Sequence, residues 1–218
     1  MLRVGLTGSL GSGKTTVAAI LRELGAHVIE ADELGRALME PGQQVYAEIL
    51  SVFGPEVAGA DGRLNRARLA ELAFREGRLN ELNAIVHPAV IAEQRRWMES
   101  LAVRSRNAIA VVESALIFEV ERDARLRGER EGVLSDWRRR FDRVIVVTAP
   151  DDKKIARYLA KLGATGNPAA EADARSRLAR QIPDAEKARR ADYVIDNSGD
   201  LNALRQATEQ VWRRMQTG

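Results

Sequence analysis

The chain has 218 residues, enough for one compact domain with a well-buried core and short of what two full domains ask for. Apolar residues make up 45% and charged residues 30%, which excludes a disordered chain, and no run approaches the ~20 apolar residues of a membrane span. It contains no cysteine, so disulfides, thiolate catalysis and cysteine-ligated zinc are excluded together, while a net charge of +3 and a sequence pI of about 9.5 ask for an anionic partner, nucleic acid or a polyphosphate.

The opening Met1-Leu2-Arg3-Val4-Gly5-Leu6 enters an apolar run at once and is expected to be a strand rather than a signal peptide. Buried strands are predicted at Leu2–Thr7, 108–113, Arg143–Thr148 and Tyr193–Asp196, with a shorter fifth at His27–Glu30. Strands that are apolar almost throughout suit a parallel sheet covered on both faces. Behind the first strand Val17, Ile20, Leu21 and Leu24 recur at helical spacing, and Gly25 supplies the stop. Residues 36–107 hold helical patterns without a strand and are expected to form a helical substrate-binding sub-domain.

Basic residues gather in two later stretches, 122–143 and 153–190. The first is interleaved with Glu121, Asp123, Glu129, Glu131 and Asp136, the pattern of a solvated helical face. The second contains two helical patterns separated by Gly163-Ala164-Thr165-Gly166-Asn167-Pro168, with Asn167 suited to an N-cap and Pro168 to a first helical position. Two helices around a glycine-rich turn predict a lid over 153–190. Leu201, Leu204, Val211 and Met215 mark a closing helix, with Asp200 as its cap.

Gly8-Ser9-Leu10-Gly11-Ser12-Gly13-Lys14-Thr15 matches the phosphate-loop (P-loop) pattern at every specified position. Backbone N–H groups turned inward, with a helix N-terminus behind them, answer the negative charge of a triphosphate. Gly11, Ser12 and Gly13 bring the backbone close to the phosphate oxygens, and Lys14 adds a mobile cation for the outer phosphates. The Thr15 hydroxyl is a hard ligand for Mg²⁺, and Thr16 can bond a neighbouring phosphate. A glycine-rich turn that binds nothing would not need an apolar strand before it, an amphipathic helix after it, and a lysine at this position. The elements together predict an α/β fold, doubly wound on a mainly parallel five-stranded sheet of the P-loop kinase type. Its core takes 1–35, 108–152 and 191–218, in one domain that also carries the sub-domain and the lid.

P-loops serve GTPases, motor ATPases and small-molecule kinases alike. No guanine-reading Asn-Lys-x-Asp is present, and the chain is small for a motor, although Val111-Val112-Glu113 ends a strand on an acid. Asp32 lies just beyond the second predicted strand, where ligands collect in open α/β sheets. Position alone leaves two roles open for it: a carboxylate that aims an acceptor hydroxyl at the γ-phosphorus, or an N-cap on the next helix.

The chain resembles the dephospho-coenzyme A kinase family over nearly its whole length. The matching stretches in the first half are Gly5-Leu6-Thr7-Gly8 with the loop, Val28-Ile29-Glu30-Ala31-Asp32 with Arg36, Pro41-Gly42, Phe53-Gly54, Asp61-Gly62-Arg63-Leu64-Asn65-Arg66 and His87-Pro88. The second half adds Leu116-Ile117-Phe118-Glu119, Arg177 to Gln181, and Ala191-Asp192-Tyr193-Val194-Ile195-Asp196-Asn197. The resemblance implies transfer of the γ-phosphoryl of ATP to the ribose 3′-hydroxyl of dephospho-coenzyme A, with Mg²⁺, by a cytoplasmic monomer that engages neither nucleic acid nor membrane. It implies that Asp32 is the catalytic carboxylate beside Lys14, that Arg36 helps hold the acceptor, and that the segment around His87 with Phe118 and Glu119 lines the acceptor pocket. Arg157 and Arg177 would belong to the lid over the phosphates, with Asn197 beside the adenine.

Helical spacing agrees with a lid: Lys153, Arg157 and Lys161 share one face, as Arg177 and Gln181 do on the next helix. A lone histidine before proline also fits a turn residue, and the tryptophans Trp97, Trp137 and Trp212 fit packing roles. The chain departs from the family at Glu113, where aspartate is usual, at Ala115 in place of proline, and at Lys161 in place of arginine. Residues 120–140 read as a charged helical insertion, a surface excursion. Two alternatives are another small P-loop kinase, acting on a nucleoside monophosphate, and a nucleic-acid-stimulated ATPase. The interleaved acids and the 5% aromatic content weigh against the second.

Overall fold

The computed structural model describes residues 1–74 and 76–217, and places five strands in one sheet in the order β2-β3-β1-β4-β5. They are β1 (Leu2–Thr7), β2 (His27–Glu30), β3 (Ile109–Glu113), β4 (Arg143–Thr148) and β5 (Tyr193–Asp196), so every expected strand is present and the third is one residue shorter. β1 pairs in parallel with β3 on one side and β4 on the other, and β5 continues in parallel beyond β4. Alternate residues Val4 and Leu6, Ile109 and Val111, Ile145 and Val147, and Ile195 face α1 (Lys14–Glu23) and α10 (Leu201–Thr217), packing on Val17, Ile20, Leu21, Leu204, Val211 and Met215. The opposite face is covered too, since a Cβ at Gly5 would meet Ile117 at 2.7 Å and Phe141 at 3.0 Å. That double covering is why these strands carry no polar alternation. Each fully buried Val, Leu or Ile side chain contributes roughly 1.5–3 kcal/mol.

The helix ends follow the expected chemistry. Gly25 takes φ 104° after α1, and Ala26 N–H donates to the Leu21 carbonyl at 2.9 Å. Asp200 Oδ1 accepts from Ala203 N at 2.8 Å and caps α10.

The chain divides into two compact units. One comprises Met1–Ile29 with the chain from Ser100 onward, and the other is Glu30–Glu99. The second unit contains α2 (Ala31–Leu38), α3 (Gln44–Phe53), α4 (Arg66–Phe74) and most of α5 (Leu79–Arg104) around its own core of Val45, Ile49, Phe53, Val57, Leu64, Leu69 and Leu72. Apart from Glu30, the last residue of β2, its described residues form no strand beyond an isolated bridge between Ala58 and Leu64. The unit begins at 30 rather than 36 because Leu38 and Met39, at the end of α2, pack on this core.

Residues 120–140 are not one charged helix. α6 (Ile117–Leu126) stops early, and a single 3₁₀ turn, Trp137–Arg139, follows before β4. Trp137 is fully buried, edge-on to Phe118 with ring centroids 5.9 Å apart, and Phe141 is buried beside it. Trp137 within the stretch and Phe141 just past it are core anchors, while 125–134 contains no buried residue, so the surface excursion is confined to its middle.

Three helices, not two, occupy the expected lid region: α7 (Asp151–Lys161), α8 (Pro168–Arg180) and α9 (Asp184–Arg190). Asn167 caps α8, its Oδ1 accepting from Ala169 N at 3.0 Å and Ala170 N at 3.2 Å. Ile155 and Leu159 of α7 pack on Ala174 of α8, with Leu10 of the loop against them.

Candidate active site

β1 and β4 are neighbours whose outgoing connections lead to opposite edges of the sheet, and the crevice at such a reversal is where open α/β sheets bind ligands. The loop between β1 and α1 occupies that place. Gly11 (φ 69°) and Gly13 (φ 100°) adopt left-handed conformations, and Gly13 caps α1. Neither position has room for a side chain. A Cβ on Gly11 would lie 2.0 Å from the Lys154 carbonyl oxygen, and one on Gly13 would lie 2.1 Å from Asn197 Nδ2.

Lys14 Nζ donates to the Ser9 carbonyl at 3.0 Å, so the ammonium folds over its own loop. One residue on, the exposed Thr15 hydroxyl donates to Glu113 Oε1 at 3.1 Å, bringing together two hard oxygens from α1 and from the end of β3. Thr16 is exposed in the first turn of α1. Asn197, which follows β5 and is buried, donates from Nδ2 to the Ser12 carbonyl at 2.8 Å and accepts from Arg157 Nη2 on its backbone oxygen at 3.0 Å. Lys153 Nζ donates to the Ser198 carbonyl. The expected basic face of α7 therefore rests on the segment after β5. Arg177 is exposed on α8 and pairs with Asp173 at 2.7 Å. Gln181 lies just past that helix, and its Oε1 accepts from the loop's Leu10 N at 2.8 Å.

Phe118 and Glu119 are buried. Glu119 Oε1 accepts from Ile182 N at 2.9 Å and lies 2.7 Å from Lys187 Nζ, a fully buried ammonium that also donates to the Ala115 carbonyl at 3.2 Å. The Arg190 guanidinium stands 4.4 Å above the Phe118 ring and pairs with Glu121. Both residues bind α6 to α9 and show no surface to a ligand. Behind them burial pushes the Arg140 guanidinium down to about 10, against the upward pull of Glu121 and Asp136, and its Nη2 donates to the Ile117 carbonyl at 2.9 Å.

The remaining expected residues belong to the Glu30–Glu99 unit. Asp32 is the second residue of α2; the N-cap position is Glu30, so the capping role left open for Asp32 does not apply. Asp32 and Arg36 are exposed and one turn apart, on one face of α2. His87 is half-buried in the interior of α5, directly before Pro88, and is not a turn residue. Proline's bias against a helical neighbour is overridden in this 26-residue helix by packing, with Ile85, Val86 and Ala89 on the unit's core.

Sequence reasoning missed Lys154 and Asp184. Lys154 is buried rather than on the solvated face, and the half-buried Tyr158, one turn further along the same side of α7, was the available signal.

A phosphate loop at the carboxyl end of a central parallel strand, with lysine and threonine opening the next helix, defines a P-loop nucleotide-binding protein. A family model described as dephospho-CoA kinase matches residues 2–129 and 132–203, so the stretch first read as an insertion lies within the match apart from 130–131. A Corynebacterium diphtheriae protein named dephospho-CoA kinase is 39% identical over 215 residues, 98% of this chain and 97% of that one. One from Geobacillus kaustophilus is 40% identical over 205 residues, 94% of this chain and 92% of its own. Among solved structures, TT1252 from Thermus thermophilus superposes with a TM-score of 0.73 at 31% identity, covering 98% of this chain and 97% of that one. Dephospho-CoA kinase from Campylobacter jejuni shares the fold, with a TM-score of 0.67 at 24% identity over 99% of this chain and 98% of its own. The chain belongs to the dephospho-CoA kinase family, and it is an ATP-dependent kinase.

Proposed function

We propose that this enzyme transfers the γ-phosphoryl group of ATP to the ribose 3′-hydroxyl of dephospho-coenzyme A. The observation that carries this reading is the phosphate loop, with Lys14 and Thr15 at the start of α1, in a chain that matches that kinase family almost end to end. Loop amides and the α1 N-terminus cradle the triphosphate, and Lys14 turns to its outer oxygens. Thr15 Oγ1 and Glu113 Oε1, both hard oxygen donors, suit Mg²⁺ and would hold it between them and the phosphates. When bound, the ion neutralises charge on the phosphate oxygens.

In this reading Asp32, just past the carboxyl end of β2, accepts a hydrogen bond from the 3′-hydroxyl and aims its oxygen at the γ-phosphorus. The bond from phosphorus to the ADP oxygen breaks as the bond to the 3′-oxygen forms, and Asp32 takes the hydroxyl proton. Arg36 and His87 hold the acceptor within the Glu30–Glu99 unit, while Phe118 and Glu119, buried between α6 and α9, act through packing rather than by touching it. Arg157 and Arg177 bring positive charge from the lid helices, and Asn197 stands beside the adenine. The working unit is a cytoplasmic monomer with two small-molecule substrates. A coupled ADP assay over a panel of acceptors tests the assignment. Dephospho-coenzyme A should be consumed one-for-one with ATP, and phosphorylation of a nucleoside monophosphate in its place would overturn the reading.

A further inference from the structure

The first half of the phosphate loop is held by groups that no phosphate-binding role accounts for. Ser9 Oγ donates to Asp184 Oδ1 at the start of α9. The other carboxylate oxygen of Asp184 lies 2.8 Å from Lys154 Nζ, which also pairs with Asp151 at 2.7 Å. Leu10 N–H donates to Gln181 Oε1, and the backbone of Lys154 closes on Gly11. Ser9, Leu10 and Gly11 are therefore each fixed, in succession, from outside the loop.

The Lys154 side chain is 3% exposed and that of Asp184 14%. An ammonium so far from water is tolerated because carboxylates close it, and it has no surface to offer a nucleotide. Its function is internal: it holds the Asp184 carboxylate oriented toward Ser9. The segment that carries Asp184 is itself anchored, since Ile182 N and Lys187 both bond Glu119 of α6. Loop amides favour bound phosphate to the extent that they are already aimed, because preorganised donors need no rearrangement when charge arrives. A first half able to swing would lose that advantage.

We propose that Asp184, fixed by Lys154, is a positioning residue for phosphoryl transfer, holding the first half of the phosphate loop in its nucleotide-binding shape through Ser9. This rests on the reading of the loop as an ATP site and is indifferent to the identity of the acceptor.

The test measures binding of a fluorescent ATP analogue with Mg²⁺ and no acceptor, together with steady-state kinetics, for Ser9→Ala, Ser9→Thr, Asp184→Asn and the double variant Ser9→Ala/Asp184→Asn. Ser9→Ala and Asp184→Asn should each weaken analogue binding and raise the KM for ATP about tenfold, the loss of one charge-assisted hydrogen bond. The KM for dephospho-coenzyme A should stay within about twofold, since a transmitted effect confined to the loop leaves the acceptor untouched. Ser9→Thr should recover most of the affinity, and the double variant should be no weaker than the worse single one. Wild-type ATP affinity in Ser9→Ala, or losses that simply add in the double variant, would overturn the proposal. Should Asp184→Asn fail to fold, the contrast between Ser9→Ala and Ser9→Thr still decides. Wild-type protein that binds the analogue but ignores dephospho-coenzyme A would sink the acceptor assignment and leave this inference standing.

Discussion

The two compact units handle charge in opposite ways. In the unit that carries the phosphate loop, Lys154 and Lys187 are buried and each is closed by carboxylate, and the Asn197 amide is spent on the Ser12 carbonyl. In the Glu30–Glu99 unit the charges lie in water: Arg68 with Glu71 at 3.0 Å, Arg78 with Glu81 at 2.8 Å, Arg63 and Arg66 around Glu40 at 3.6 Å, and Asp32 and Arg36 on the open face of α2. Under the function proposed above, the contrast suits two tasks. A triphosphate is met by dipoles that must be aimed beforehand, so their supports are desolvated and stiff. Solvated side chains can reorganise around a flexible acceptor at little cost.

The buried side of the contrast should break hardest. Glu119→Ala strands Lys187 without its carboxylate, and equilibrium urea unfolding should show a loss of about 3–5 kcal/mol. A loss below about 1 kcal/mol would mean that the ammonium finds water or another partner. Asp32→Asn should leave folding intact and lower kcat about 100-fold or more, with the KM for ATP unchanged. Stopped-flow or coupled kinetics that return the wild-type kcat would remove Asp32 from the chemistry. Glu71→Ala, which opens a surface pair, should change the unfolding free energy by less than about 0.5 kcal/mol, and less still in high salt.

Much of this was legible in the chain itself, for identifiable reasons. The strands are apolar on both faces, so β1, β3 and β4 stand out as continuous runs, and the caps at Gly25, Asn167 and Asp200 are local chemistry that needs no tertiary context. The phosphate loop is local too, and its residues lie where the pattern puts them. The supports of the loop are another matter. Lys187 and Glu119 are remote in sequence, and Lys154 follows Asp151, Asp152 and Lys153 in a run that reads as solvated surface. Only Tyr158, one turn further along the same side of α7, betrays it. Phe141 was hidden likewise by the arginines before it, although it is a core residue, whereas the packing role expected of Trp137 from its residue type is what the structure gives it. Composition reports the average environment of a stretch, and burial here is decided residue by residue.

Gly11 and Gly13 are barred from carrying a methyl group by the protein's own backbone and by an asparagine, before any nucleotide arrives. Even the empty polypeptide needs them as spacers. A descendant of this enzyme that had given up catalysis altogether, and survived as a scaffold, would still be obliged to keep both. Their presence alone is therefore no proof that a protein of this architecture still turns over ATP.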